Sequence, residues 1–401
     1  MQDDETPLGL DELYATGAEV RDGHAKANAI MGSTLAIVSL ISSFVLIWMI
    51  KRSHISFKST YHRILLGMTI ADIIYSLSLA HFNMMAPSED DYFVWNASGN
   101  QLTCNVQGFL TATGATSGLL YNCSLNLYSL AVVKNRKSDE YIRKKIEPFL
   151  HGVPIVYALA LTITLLIGKN TNDSGGGSCY APEYRPPHCI GYKDGEVRDG
   201  FTIPCGRGHD GFVLFYYLSG FITAFVVPIV VGVSLGMIYK VVRMQENVIG
   251  GYGESNFSRS IAQRTTAADD DNANNNNEED EEAPSSWREK FSWCKRCKRS
   301  STSSNSRAVM DRATAYSVAY FLAWSFFIIG SCFTLVGVEW PTTLWYLATI
   351  FNPLQGFFNF CIFMYPKVNK AKSRGGDETT WLEAFGKAFW SRGRNPNTGT
   401  R

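Results

Sequence analysis

Residues 26–51 read KANAIMGSTLAIVSLISSFVLIWMIK, and the 24 residues between Lys26 and Lys51 carry no formal charge. A hydrocarbon layer of about 30 Å takes roughly 20 apolar helical residues to cross, and helices satisfy their own backbone groups there. The same spacing recurs from Arg63 to Glu89, broken only by Asp72, and from Asp91 to Lys134. It continues from Glu147 to Lys169, Asp210 to Lys240, Arg312 to Glu339 and Glu339 to Lys367. Seven such gaps predict an all-α membrane protein, a seven-transmembrane helix bundle over residues 29–366.

The mean hydropathy of −0.05 looks soluble, but an acidic, Asn-rich segment and polar tails dilute the apolar remainder. The formal net charge of +1 likewise conceals local asymmetry. Lys51, Arg52, Lys58 and Arg63 flank the first connection, and Lys134, Arg136, Lys137, Arg143, Lys144 and Lys145 fill the third. Positive charge marks the cytoplasmic side. The tail of residues 1–28 is acidic, as is the loop with Glu89, Asp90 and Asp91, which places the amino terminus outside. Residues 1–25 are too polar for a signal peptide's apolar core, so the first helix is expected to direct insertion.

Cys104, Cys179, Cys189 and Cys205 fall at or beyond the outer helix ends, where two disulfides are expected. Sequons at Asn96 and Asn172 face the same side and are candidate glycosylation sites. Residues 243–310 form an insertion whose Asp/Glu/Asn run from Asp269 to Glu282 predicts disorder. Within it, Cys294-Lys-Arg-Cys297 offers half a metal site or a palmitoylation pair, and no second Cys/His pair lies near. No metal and no cofactor is expected. Residues 367–401 form a tail in which Trp381, Phe385, Ala388 and Phe389 share one helical face, predicting an amphipathic helix near 380–391 on the inner leaflet.

Function must come from polar groups placed where lipid discourages them. Asp72 is the only acid within a span, and an intramembrane carboxyl needs a partner. Candidates are Ser117, Asn122 and Asn126 on helix 3 and Asn352, Gln355 and Asn359 on helix 7; the last three, at i, i+3 and i+7, share a face. A polar plug that merely fixes helix packing is the plainer reading of such a set. In the outer half, Gln107, Thr111, Tyr216, Tyr217, Trp345 and Tyr346 are candidate ligand-binding residues, although aromatics at helix ends often serve as interfacial anchors.

These residues resemble a G-protein-coupled receptor over roughly residues 29–366. Met68-Thr69-Ile70-Ala71-Asp72 is similar to the second-helix pattern of rhodopsin-like receptors, and Pro154 and Pro228 fall where helices 4 and 5 commonly carry proline. Leu354-Gln355-Gly356-Phe357-Phe358 with Cys361-Ile362-Phe363 is nearest to the secretin, adhesion and slime-mould cyclic-AMP receptors, as is Asn126-Leu127-Tyr128-Ser129-Leu130. No Asp-Arg-Tyr ends helix 3, so another latch must hold the resting state. Helix 6 lacks proline between Arg312 and Glu339, which leaves Gly330 or loosened packing around Ser331 as its expected bend. The resemblance implies a tie from Cys104 to Cys179, Cys189 or Cys205, and a plasma-membrane receptor that passes an extracellular small-molecule or short-peptide signal to a heterotrimeric G protein. Arg63, Lys134, Arg136, Lys240, Arg243 and Arg312 would face the Gα subunit. Membrane lipid is the other expected partner, nucleic acid is not, and neither is an enzymatic activity.

Two other classes compete with this reading. A retinal pump would need a Schiff-base lysine, and residues 341–365 contain none. An ion-coupled transporter would use Asp72 as its ion or proton site, but no inverted repeat is evident.

Overall fold

The computed structural model describes residues 10–53, 56–88, 96–135, 137–173, 178–180, 197–198, 201–202, 207–208, 210–269, 286–335, 338, 340–376 and 379–390. Its helices are α1 (Leu10–Arg52), α2 (Thr60–Ala80), α3 (Gln101–Val133), α4 (Glu147–Ile167), α5 (Asp210–Asp269), α6 (Ser286–Leu335), α7 (Thr342–Phe351), α8 (Gln355–Gly375) and α9 (Trp381–Trp390). Two short hairpins, Asn172–Asp173 with Cys179–Tyr180 and Val197–Arg198 with Phe201–Thr202, precede α5.

Five stretches are long and apolar enough to cross a membrane: Lys26–Arg52, Thr60–Ala80, Asp139–Ile167, Leu214–Asn247 and Ser306–Phe333. The pair α7 and α8 makes a sixth, bent by 49°. The seventh is α3, long enough at 33 residues but rich in Thr, Ser and Asn. Its polar residues Gln107, Thr111, Thr113, Thr116, Ser117, Asn122, Ser124, Asn126 and Ser129 are all buried, because α3 packs against α2, α4, α5 and α6. Hydroxyls there bond back to carbonyls one turn earlier, as Ser129 Oγ does to Leu125 O at 2.8 Å. A central helix tolerates such residues because protein surrounds them. The exposed apolar side chains lie on the periphery, among them Phe149, Val153 and Val156 of α4 and Ile229 and Val233 of α5.

Close approach of α3 to α2 needs Gly114, where an added Cβ would stand 2.6 Å from the Tyr75 backbone nitrogen. The capping box of Asn100 and Thr103 starts α3, satisfying amides that have no intrahelical partner.

Several boundaries differ from the sequence expectation. Helix α1 begins at Leu10, within the stretch assigned to the tail, and the bundle's last helix runs through Pro366 to Gly375. Within residues 243–310, helix persists in α5 to Asp269 and resumes at Ser286. Once nucleated, a helix gains one bond per added residue, and Arg307 pairs with Glu246 at 3.3 Å to join the two extensions. Residues 270–285 and Cys189 and Cys205 lie outside the described residues.

At the basic end, Arg63 and Glu147 join α2 to α4. Arg63 Nε donates to Glu147 Oε1 at 2.5 Å and Nη2 to Oε2 at 2.6 Å, while Nη1 reaches Phe57 O at 2.6 Å. Thr60 Oγ1 donates to the same carboxylate at 3.2 Å. Bidentate geometry in a partly desolvated place makes this stronger than a surface pair. Arg63→Ala or Glu147→Ala alone is expected to cost about 2 kcal/mol, since each leaves an orphaned charge. The double variant should recover part of that loss in thermal unfolding of the detergent-solubilised protein; simple additivity would contradict the pairing.

Candidate functional site

The break between α7 and α8 builds the centre of the bundle. Asn352 keeps helical dihedrals, φ −64° and ψ −45°, but Pro353 has no N–H to continue the ladder, so the span stops at Phe351 and restarts at Gln355. The sequence alone singles out Asn352 but not a break beside it. Its consequence is that three polar side chains leave the helix toward different neighbours. Asn352 Oδ1 accepts a hydrogen bond from the Tyr75 hydroxyl on α2. Gln355 Oε1 accepts from the Trp324 indole on α6. Asn359 Nδ2 donates to Asp72 Oδ2 at 2.7 Å.

Asp72 therefore finds its partner on α8, and Tyr75, one turn further along α2, finds its own on the residue just past α7. The rings of Tyr75 and Trp324 sit 5.7 Å apart, closing a path from α2 through α6 to α8. Neither Tyr75 nor Trp324 was selected from the sequence, though an indole and a phenol inside spans are themselves polar signals. Around this centre the small residues decide what fits. A Cβ on Gly118 would meet Gln355 Nε2 at 3.5 Å and Asp72 Oδ1 at 3.9 Å, ordinary contact distances. On Gly356 it would meet Ser43 Oγ at 2.3 Å and the Ser39 carbonyl at 3.1 Å. The Gly356 amide also donates to Ser39 Oγ at 3.1 Å, which seats α8 on α1.

The helix 3 candidates divide. Asn122 Nδ2 donates to the Tyr316 carbonyl of α6 at 3.2 Å, and Asn126 Oδ1 accepts from Ser317 Oγ at 3.2 Å. Asn126 Nδ2 also donates to Asn122 Oδ1 at 3.2 Å, so the two act together. Ser117 Oγ donates within its own helix, to Thr113 O at 2.6 Å and Gly114 O at 3.3 Å, and among the described residues it reaches no other helix. The predicted seven-residue network is thus two seams: Asp72, Asn352, Gln355 and Asn359 join α2, α6 and α8, whereas Asn122 and Asn126 join α3 to α6.

In the other half, Cys104 and Cys179 form a disulfide. This orders the hairpin over α3 and changes the reading of Gln107, which is fully buried with Oε1 accepting from Cys179 N and Nε2 donating to Ser78 O, both at 3.0 Å. Thr111 Oγ1 donates to Gln107 O at 2.8 Å and lies 2.9 Å from Ser78 Oγ. Both residues tie α3 to its neighbours. Tyr216 packs on Ala112 and Leu165, and Trp345 and Tyr346 are half-buried on α7. The side chain of Tyr217 lies outside the described set. A Cβ on Gly330 would stand 2.3 Å from the Trp340 ring, so this glycine seats that ring. Asn96 is exposed, whereas Asn172 is fully buried, with Nδ2 donating to Lys169 O at 3.0 Å and Oδ1 accepting from Arg207 Nε at 3.1 Å. No side of Asn172 is open to a glycan.

At the basic end, Lys134, Lys240, Arg243 and Arg312 are exposed, but Arg63 is committed to Glu147 and is not a free rim charge. Arg136 lies outside the described residues. The amphipathic helix is present as α9, with Thr380 Oγ1 accepting from Glu383 N at 3.2 Å at its start. Its Ala384 and Ala388 are buried against the bundle, Phe389 meets Trp48 at 5.5 Å and the exposed Trp390 meets the same ring at 6.4 Å, while Leu382 is exposed. Arg52 Nη2 donates to Trp390 O at 3.1 Å and closes its carboxyl-terminal end.

The contrast between the two glycines is measurable. Gly118→Ala should unfold within about 1 kcal/mol of the parent, because a methyl fits and helix propensity gains. Gly356→Ala should lower the thermal midpoint by several degrees, a few kcal/mol of overpacking. Equal effects at the two positions would contradict the packing described.

In fold the chain is similar to squid rhodopsin, whose crystal structure matches it with a TM-score of 0.53 over 92% of this chain and 86% of that one, at 11% sequence identity. At that identity the likeness is one of fold, and it supports a rhodopsin-like seven-helix arrangement. No family model matches the chain, and no curated protein matches it in sequence.

Proposed function

We propose that the protein is a G-protein-coupled receptor that converts an extracellular signal, a small molecule or short peptide, into Gα nucleotide exchange by a shift between two arrangements of its helices. The observation that carries this reading is the seam between α3 and α6. The basic half of α6 meets α3 through two polar bonds, Asn122 to Tyr316 O and Ser317 to Asn126, and on this reading α6 gives them up when it moves. A ligand shifts such an equilibrium only by binding one arrangement better than the other. The rhodopsin-like fold supports the same reading.

On this account the disulfide end faces outward, with Trp345, Tyr346 and Tyr216 beside the ligand chamber and Asn96 glycosylated. The exposed Lys134, Lys240, Arg243 and Arg312 face the cytosol and Gα, with Arg136 in the same connection. The finer placement nearest to secretin, adhesion and slime-mould cyclic-AMP receptors rests on the α8 and α3 sequence motifs alone. A second reading, an ion-coupled transporter, draws on the break between α7 and α8 beside Asp72. Among the described spans no counterpart break is paired with it, and the receptor reading is the stronger.

Asn126→Ala removes the α3 acceptor of Ser317, whose hydroxyl keeps Ala313 O at 2.9 Å in its own helix, and should raise agonist-independent exchange on a matched Gα about fivefold, the equivalent of roughly 1 kcal/mol. Exchange at background for the chain and this variant, across a panel of Gα classes and with normal expression, would contradict the proposal. Gradient-driven solute uptake into vesicles that is lost in Asp72→Asn would favour the transporter instead.

A further inference from the structure

Arg52 ends the first membrane span, Lys26–Arg52, and so stands where hydrocarbon gives way to headgroups. Its guanidinium is fixed from three directions. Nη2 donates to Trp390 O at 3.1 Å, the Trp48 ring lies 5.0 Å from the guanidinium carbon, and the Trp390 ring lies 5.9 Å from it. The two indoles meet edge to face at 6.4 Å, with an interplanar angle of 81°, and make a corner that holds the cation. Helix α9 brings Trp390 there because Ala384 and Ala388 belong to the same buried cluster as Leu46, Met49 and Ile50 of α1. Among the described residues no carboxylate pairs with Arg52, and its Nε and Nη1 have no hydrogen-bond partner.

Closing the end of α9 occupies one N–H of Arg52 and needs no aromatic corner. The rest of the corner is a set of donors without an acceptor: the other guanidinium N–H groups, the indole N–H groups of Trp48 and Trp390, and the ammonium of the exposed Lys51 beside them. Such a set takes an anion, and the planar guanidinium matches two oxygens of a phosphate. An apolar track leads away from it. Ile37, Ile41, Phe44 and Trp48, at i, i+4, i+7 and i+11, share one face of α1 and are all exposed, and Arg52 stands one turn beyond the last of them. A free anion in water leaves that track uncovered, whereas an acyl chain lies along it. We propose that the corner of Trp48, Arg52 and Trp390 binds the headgroup of an anionic phospholipid, with Arg52 and Lys51 on its phosphate and an acyl chain along the exposed face of α1. The site rests on the membrane-spanning fold and not on the receptor reading. Its consequence is that the seating of α9 on α1 depends on the charge of the surrounding lipid.

Native mass spectrometry of the full chain in detergent, titrated with dioleoyl phosphatidylglycerol, dioleoyl phosphatidylcholine or inorganic phosphate, tests the site. The chain should retain phosphatidylglycerol in preference to the other two. Arg52→Gln should weaken that retention about fivefold, the loss of one cation beside a headgroup. Trp48→Leu keeps every charge and removes one wall of the corner, and should weaken it about threefold. Lys145→Gln removes the same charge from an exposed position at the same end of the bundle and should change it by less than about twofold. Equal losses in Arg52→Gln and Lys145→Gln would reduce the effect to general attraction by a basic surface and overturn the site. Unchanged retention in Arg52→Gln, or inorganic phosphate that displaces the lipid at equal concentration, would overturn it too. A purely capping role for Arg52 lowers the thermal midpoint of Arg52→Gln equally in vesicles of phosphatidylcholine and of an equimolar mixture with phosphatidylglycerol. On the proposal, the anionic lipid raises the midpoint of the parent and not of the variant. If Arg52→Gln fails to fold, Trp48→Leu decides, and unchanged retention there overturns the site equally. No G protein is present, so failure of the receptor reading leaves this result standing.

Discussion

Hydrocarbon offers a buried polar group no partner but the protein itself, and Asp72 meets that constraint through the Asn359 amide. Much of the bundle follows from where Asn359 must stand. Helix α8 has to lie beside α2 at the depth of Asp72, and it does so by restarting after Pro353 and resting its Gly356 on Ser39 and Ser43 of α1. The same restart sends Gln355 to Trp324 and leaves Asn352 beside Tyr75. One carboxyl, one proline and one glycine thus fix the contacts among α1, α2, α6 and α8.

The other seams obey the same rule at different depths. Gln107 near the disulfide, Asn122 and Asn126 lower on α3, and Glu147 at the start of α4 each have a named partner on another element. Hydrogen bonds between membrane helices are worth only about 0.6 kcal/mol on average, so no single one makes the bundle rigid. Apolar packing of Leu46, Ile50, Leu65, Met68, Leu125, Tyr316 and Phe363 forms the largest cluster, and polar pairs select which arrangement that packing takes. Hydrogen bonds and the Arg63–Glu147 ion pair join the helices at the basic end, whereas the disulfide end is covalently held.

Much of this was legible in the chain. Charge gaps located all seven spans, including α3, whose polar residues keep it out of a hydropathy-based count because they turn inward. Asp72 and Asn359 stood out singly as polar groups in apolar surroundings, and helical spacing put Asn359 on a face with Asn352 and Gln355. Spacing along one helix says nothing about the register between helices, so the pairing of Asp72 with Asn359 and the division of the polar residues into two seams were not readable. Glu147 looked like an ordinary boundary charge, and Arg63 like positive-inside charge, because pairing across 84 residues leaves no local pattern. Gln107 and Thr111 have the chemistry of ligand contacts, and only the packing of α3 against α2 and the Cys179 hairpin shows the bonds they make to Ser78 and Cys179.

The coupling between Asp72 and Asn359 tests the account most directly. A double-mutant cycle of Asp72→Ala and Asn359→Ala, read by reversible unfolding in lipid, should give an interaction of about 1–3 kcal/mol, above the ordinary helix–helix bond in membranes. A coupling indistinguishable from zero, with both single variants folded, would contradict the arrangement of α2 and α8 on which the rest is built.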